Sequence, residues 1–412
     1  MKKKMFYPFD AIPVCDSCWS LSTGPDGRIY AAACTEQTGG VGAYIVRYDE
    51  QADRLEYLVD VAEAAGDLPD SGRATQCKIH YCLNPSPSSG ILYAATHLSG
   101  PPVNEFGYNP LCETKHPLRG FRGSVLLAYD TNKEEVVDCD IFLPGEGARC
   151  SCLDDERGLL YAISYPLDHF FVYDLRKKIL RDMGRISSVN SQAIFLDKRG
   201  RAYTANDKGR LLRYDPDKKV LEELSVYLPV APYQNGWHAV IYDIVANASH
   251  DCVYGINWIV NPHLWRYWPE DGKDGRLEDL GPATQMERDR TMITNTYLDH
   301  AGGLVFDSEG YLYYVASRWR NGYDRLGIGP ENDNDTSVPA AVVVRIDPDT
   351  CKREDYAVLS RPDKVCRYIT RGARDRNGNL FFGMVGPQPE GLFRLEMEQN
   401  GENKHLPLRM WG

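Results

Sequence analysis

Two side chains in this 412-residue sequence have the chemistry for proton transfer and fall at equivalent points of a repeated pattern: His97 and Tyr165. Imidazole and phenol are common proton carriers in catalysis. Downstream of His97 lies the run Lys115-His116-Pro117-Leu118-Arg119-Gly120-Phe121-Arg122, with four basic or titratable residues and no acid between Thr114 and Asp130. The whole chain has 47 Lys and Arg against 58 Asp and Glu, a formal charge of −11, so this local excess is unusual. Guanidinium groups bind carboxylates and sulfates bidentately and keep their charge, which makes the run a candidate clamp for an acidic ligand. A second run, Ser317-Arg318-Trp319-Arg320-Asn321-Gly322-Tyr323, sets an aromatic between two arginines, a surface for a sugar ring or a planar anion.

Such groups need elements whose ends meet, and one element recurs along the chain. A turn followed by a short apolar strand occurs at Asp26-Gly27-Arg28-Ile29-Tyr30-Ala31-Ala32, again at Gly90-Ile91-Leu92-Tyr93-Ala94-Ala95, and five further times, with an aromatic at 30, 93, 161, 203, 254, 313 and 381. A later strand of each unit ends on a turn that usually carries an acid: Asp49, Asp130, Asp174, Asp215, Asp347 and Glu396, with Tyr267-Trp268 holding the place in the fifth unit. Turn-forming acids after β-rich runs predict tight hairpins and about four strands per unit. Seven such units predict an all-β fold, a seven-bladed β-propeller of four antiparallel strands per blade, with residues 1–412 as a single domain. The units exceed the WD40 length of about 40 to 45 residues and lack its Gly-His and Trp-Asp pairs. The extra length falls between second and third strands, at Thr96 to Gly123 and Ser317 to Pro339. Counting four residues past each aromatic gives the group leaving each strand on that face: Cys34, His97, Tyr165, Asp207, Trp258, Ser317 and Val385. The strand expected to close the last blade is His405 to Met410.

Composition removes other classes. With 43% hydrophobic and 25% charged residues, the chain reads as soluble and globular. Its acid excess argues against a nucleic-acid partner, and no run is long enough to span a bilayer, so no membrane partner is expected. The start, Met1-Lys2-Lys3-Lys4-Met5-Phe6-Tyr7, resembles a leader until Pro8, Asp10 and Pro13 interrupt it. Twelve cysteines, several in apolar segments such as Cys150-Ser151-Cys152, read as reduced thiols of a cytoplasmic protein. Cys15-Asp16-Ser17-Cys18 has zinc-like spacing without a second pair, and Glu331 to Asp335 lacks the pattern of a calcium loop, so no metal is expected. His80, in Lys78-Ile79-His80, reads as a core histidine of an innermost strand. Phosphate-binding, serine-hydrolase and zinc-protease motifs are missing from the sequence.

The chain resembles the seven-bladed propeller enzymes that act on uronic-acid-containing polysaccharides, especially the ulvan lyases. The residues that carry the likeness are His97 and His116, nineteen apart around the blade-two insertion, Tyr165 in Ile163-Ser164-Tyr165-Pro166, and an arginine near the end of blade three. Arg185 is chosen for the last, with Arg181 as competitor. The resemblance implies that His97, His116, Tyr165 and Arg185 form a catalytic set for β-elimination. His97 and Tyr165 would serve as base and acid, His116 as partner and Arg185 as neutraliser of the uronate carboxylate. Arg119 and Arg122 would clamp the substrate, and Asn190, His238, Arg318 and Arg320 complete the substrate-binding candidates. It implies an acidic oligosaccharide or polysaccharide as partner and no organic cofactor. Relatives that hydrolyse rhamnosyl-glucuronate links share the fold, and a non-catalytic propeller binding a glycan or protein is the reading from another class. The metal-binding histidine cluster of the manganese-dependent oligogalacturonate lyases has no counterpart in the late blades.

Overall fold

The computed structural model describes residues 3–11, 15–35, 42–68, 73–97, 99–100, 120–188, 191–229, 240–257, 262–284, 300–318, 340–359, 368–385 and 390–397. Seven four-stranded antiparallel sheets follow one another around an axis, with each blade's first strand innermost. The repeated aromatics lie on the second strands: Ile29–Cys34, Ile91–Ala95, Leu159–Tyr165, Ala202–Ala205, Val253–Asn257, Leu312–Arg318 and Leu380–Val385. The only helix among the described residues is Val61–Ala65, capped by the Asp60 carboxylate, and no described helix is long and apolar enough to cross a membrane.

The turn chemistry of the sequence reappears as hydrogen bonds. Asp197 accepts the backbone N–H of Arg199 and Arg201, Asp307 those of Glu309 and Tyr311, and Asp375 those of Asn377 and Asn379, so each aspartate closes the turn between first and second strands. Asp197 and Asp307 also accept the phenol of the repeated aromatic, Tyr203 at 2.9 Å and Tyr313 at 3.0 Å. That bond lets a tyrosine be buried without leaving its hydroxyl unpaired. The acids at the far hairpin act alike: Asp49, Asp130, Asp174 and Asp215 each accept two backbone N–H groups.

The core lies between blades. Aromatic pairs bridge neighbouring sheets: Tyr30 with Tyr129 (6.5 Å between centroids), Phe142 with Tyr173 (5.3 Å), Tyr161 with Tyr214 (5.6 Å), Tyr203 with Tyr267 (5.8 Å), Tyr254 with Phe306 (5.6 Å) and Tyr48 with Phe381 (5.0 Å). Aromatic pairs of this kind add about 0.5–1.5 kcal/mol each beyond area burial. The recurring aromatic makes this contact at five of the junctions, and Phe142 with Tyr173 makes it between blades two and three.

Closure differs from the expectation. The fourth strand of the last blade is N-terminal, Lys4–Pro8, in register from Lys4 opposite Leu395 to Pro8 opposite Gly391. His405 to Met410 lie outside the described residues, and the place assigned to them is already filled. The apolar Met5-Phe6-Tyr7 stretch that looks like part of a leader is an outer strand, and Pro8 stands at its end, where a missing N–H is tolerated.

Innermost strands carry β-bulges. Register shifts fall at Arg149 in Gly147–Asp154, at Tyr242 in Ile241–Ala246, and across Thr370 and Arg371 in Tyr368–Arg374. A bulge leaves its extra residue out of the ladder and re-aims its side chain. Arg371 thereby reaches across the axis, pairs with Asp243, donates to the Gln192 carbonyl at 3.2 Å and lies 3.8 Å over the Tyr81 ring. Asp243 also accepts Leu304 N–H at 2.7 Å, so one ion pair joins three inner strands and the segment that leads into a fourth at Phe195. These strands line an axial cavity of about 970 Å³.

Candidate functional site

The insertions between second and third strands leave the propeller on the face where each fourth strand connects to the next blade, as alternating strand directions require. His97 and Tyr165 arise there from blades two and three. The His97 backbone is held on both sides, its N–H donating to the Lys78 carbonyl at 2.8 Å while Ala148 N–H donates to the Thr96 carbonyl at 2.8 Å. Gly147 makes the approach possible. It opposes Tyr165 in the ladder, and a Cβ on it would stand 1.8 Å from the His97 carbonyl oxygen. With only hydrogen at that point, the His97 and Tyr165 rings come to 4.7 Å between centroids, tilted by 31°.

Arg149 completes the group. Its Nη1 lies 3.2 Å from His97 Nε2 and its guanidinium carbon 5.6 Å from the centre of the Tyr165 ring. Below His97 sits His80, with ring centroids 5.1 Å apart, stacked in turn on Trp19 at 4.7 Å. Lys78 places its ammonium 4.3 Å over that indole. His80 Nδ1 is 2.8 Å from the Arg149 carbonyl, which the bulge has freed from the ladder.

Burial and nearby cations set the charges. Both imidazoles are fully buried, and burial, reinforced by Lys78 and Arg149, holds them well below the usual histidine range, so both are neutral at pH 7. Asp168, only 1% exposed, is pushed by burial up to about 7, against the pull of Arg149 and Arg185. His300 is lowered by burial to about 3 and packs edge-on against Tyr242, 4.9 Å away.

The sequence-based candidates divide. His97 and Tyr165 come together. Arg185 does not join them: it stands at the end of the outermost strand Ile179–Arg185, exposed, its Nε donating to the Ser187 carbonyl at 2.9 Å. Arg181 is exposed on the same strand. Both arginines stand on the outermost strand of the blade, and Arg185 acts on the site through the charge it shares with Arg149 on Asp168. Arg122 is engaged with Asp67 (2.9 Å) and with the Ala65 carbonyl at the end of the helix (2.7 Å), where it holds structure. Cys34, Ser317 and Val385 close strand ends, and Asp207 accepts from Ser188. Cys15 and Cys18 are buried, and burial pushes both thiols up. His116, Arg119, Asn190, His238 and Arg320 lie outside the described residues, as does the side chain of Arg318. The reading from sequence missed Arg149, Lys78 and Trp19, while His80 is buried, as expected of a core histidine. The available signal was a cation in the middle of two apolar innermost runs, Ala148-Arg149-Cys150 and Cys77-Lys78-Ile79.

Comparison with known proteins bears on the fold. No family model matches the chain, and no curated protein matches it. Solved structures do. An extracellular domain of a hybrid two-component system from B. thetaiotaomicron aligns at TM-score 0.59 and 14% identity over 97% of this chain and 40% of that one, so this chain spans well under half its length. A streptogramin B lyase aligns at 0.58 and 11% identity, covering 96% and 98% of the two chains. The WD40 repeats of RRP9 align at 0.56 and 10%, covering 96% and 97%. At these identities the likeness is one of fold. An extracellular domain of a two-component system, a lyase and a set of WD40 repeats share it, so function has to be argued from the side chains.

Proposed function

We propose that this protein cleaves a uronic-acid-containing glycan by β-elimination, as a polysaccharide or oligosaccharide lyase of the ulvan lyase type. The observation that carries the reading is the contact of Tyr165 with His97 and Arg149 at the junction of two blades on the insertion-bearing face. β-Elimination needs a base for the proton α to the carboxylate, a donor for the leaving oxygen, and a cation beside the carboxylate while enolate-like charge develops. The C–H electron pair becomes the new C=C bond as the C–O bond to the leaving sugar breaks, and that oxygen takes up a proton. Arg149 suits the neutralising task first given to Arg185. A glycosidase works instead with two carboxyl groups flanking the scissile bond, and Asp168, with Asp207 and Glu146 in electrostatic reach, makes hydrolysis the alternative chemistry. Asp168, raised to about 7, has a donor's pKa and is as enclosed as His97, so the product rather than exposure decides between elimination and hydrolysis.

The full burial of His97 favours a second reading, a propeller that binds an acidic glycan on this face without cleaving it. A screen of uronate-containing glycans for the ultraviolet absorbance of unsaturated uronate separates the two. Tyr165→Phe removes one hydroxyl and is expected to lower turnover by about 10² to 10⁴ with binding retained. Full activity of that variant on a confirmed substrate assigns proton transfer elsewhere, and binding without absorbance selects the second reading.

A further inference from the structure

Arg149 touches two histidines through two different atoms, and each atom has only one hydrogen-bonding role. A guanidinium has no acceptor, so the 3.2 Å contact from its Nη1 requires a lone pair on His97 Nε2. A carbonyl oxygen has no proton, so its 2.8 Å contact requires an N–H on His80 Nδ1. Both rings are neutral, and a neutral imidazole carries one proton. That leaves His97 with an Nδ1–H donor and His80 with an Nε2 acceptor, and neither atom has a hydrogen-bond partner among the described residues although both rings are fully buried.

We propose that Arg149, beside its neutralising role, locks His97 and His80 in their Nδ1–H tautomers, so that His97 serves the site as a hydrogen-bond donor and leaves proton abstraction to Tyr165. For His97 to act as base, its Nε2 would have to release Arg149 and become a cation beside both that guanidinium and Lys78. Like charges at that distance oppose the step. The bulge gives the arrangement its economy of parts: one residue displaced from the ladder supplies the guanidinium to one ring and an unpaired carbonyl to the other.

Only the role of Tyr165 rests on the lyase reading; the tautomers do not. Long-range ¹H–¹⁵N spectra of the full chain labelled at histidine, assigned with His97→Gln and His80→Gln, are expected to show both rings as neutral Nδ1–H tautomers between about pH 5 and 8. Arg149→Met is expected to move His97 to the Nε2–H form or to a mixture, and in an active enzyme to lower kcat by about 10², with Arg149→Lys recovering part of both. An Nε2–H or cationic His97 in the wild-type protein overturns the proposal, as does an Arg149→Met spectrum identical to wild type. The wild-type spectrum decides even where the variant does not fold. Nδ1–H tautomers in a protein that cleaves no uronate glycan leave the tautomer lock standing and remove the lyase reading. An Nε2–H His97 in a working lyase does the reverse.

Discussion

Replacing Asp168 by Asn tests the electrostatics of the site without a substrate. In the folded protein the carboxyl is pushed by burial from 3.8 to about 7, and among the described residues no hydrogen bond holds its Oδ1. An acid whose folded pKa is raised binds its proton more tightly in the native state, so stability falls as pH rises from the unfolded value near 4 to the folded value near 7, and is level on either side. Three pKa units at about 1.4 kcal/mol each make the loss about 4 kcal/mol. With roughly 2.1 cal/mol/K of unfolding entropy per residue, a chain of 412 residues moves its Tm by about 1 °C per 0.9 kcal/mol, so the loss corresponds to about 5 °C. Asn keeps the shape and cannot ionise. Calorimetric melts of both proteins from about pH 4 to 9 are expected to start nearly together and to diverge, with Asp168→Asn more stable by several degrees above pH 7. A constant difference across that range, or a variant that loses ground as pH rises, refutes the reasoning. An acid that costs stability at neutral pH beside Arg149 is the kind of residue that a functional site retains.

The ring was legible in the sequence because its cause is local and repeated. Gly310-Tyr311-Leu312-Tyr313 reads as a turn and a strand before any tertiary contact is known, and the structure closes that turn with Asp307 on the Tyr313 phenol, as it does at Asp197 and Tyr203. Closure was not legible. Lys4–Pro8 pairs with Gly391–Leu395 across almost the whole chain, and a five-residue edge strand has too short an alternation to identify itself. At the site, counting four residues past each aromatic found His97 and Tyr165 because Tyr165 ends a regular second strand and His97 stands two residues beyond one. It could not find Arg149, since a bulge breaks the two-residue period that tells one face of a strand from the other. Choosing Arg185 followed chain order, and chain order is blind to radius. Residues 179–185 come soon after Tyr165 in sequence and form the outermost strand of the same blade.

Gly147→Ala is expected to push the His97 carbonyl away from blade three, since the added Cβ would stand 1.8 Å from it; overpacking of about 1–3 kcal/mol and loss of the His97–Tyr165 contact should appear as a lower Tm and a much weaker turnover. Arg371→Met leaves the Asp243 carboxylate buried without its cation, at a cost of about 3–5 kcal/mol by denaturant titration, and Arg371→Met with Asp243→Leu should recover part of that loss. The last prediction concerns the bond that breaks. Elimination adds no water across it: the masses of the two products sum to that of the substrate, one fragment gains a C=C bond, and cleavage in H₂¹⁸O places no label in either. Hydrolysis adds one solvent oxygen for every bond cut and leaves no chromophore. Proton transfer by Tyr165 with His97 as donor has no role for an attacking water, so early products from H₂¹⁸O should be unlabelled and ultraviolet-absorbing. Products carrying one ¹⁸O and lacking that absorbance would mean that a carboxyl pair does the chemistry, and that the Tyr165–His97–Arg149 group only holds the sugar in place.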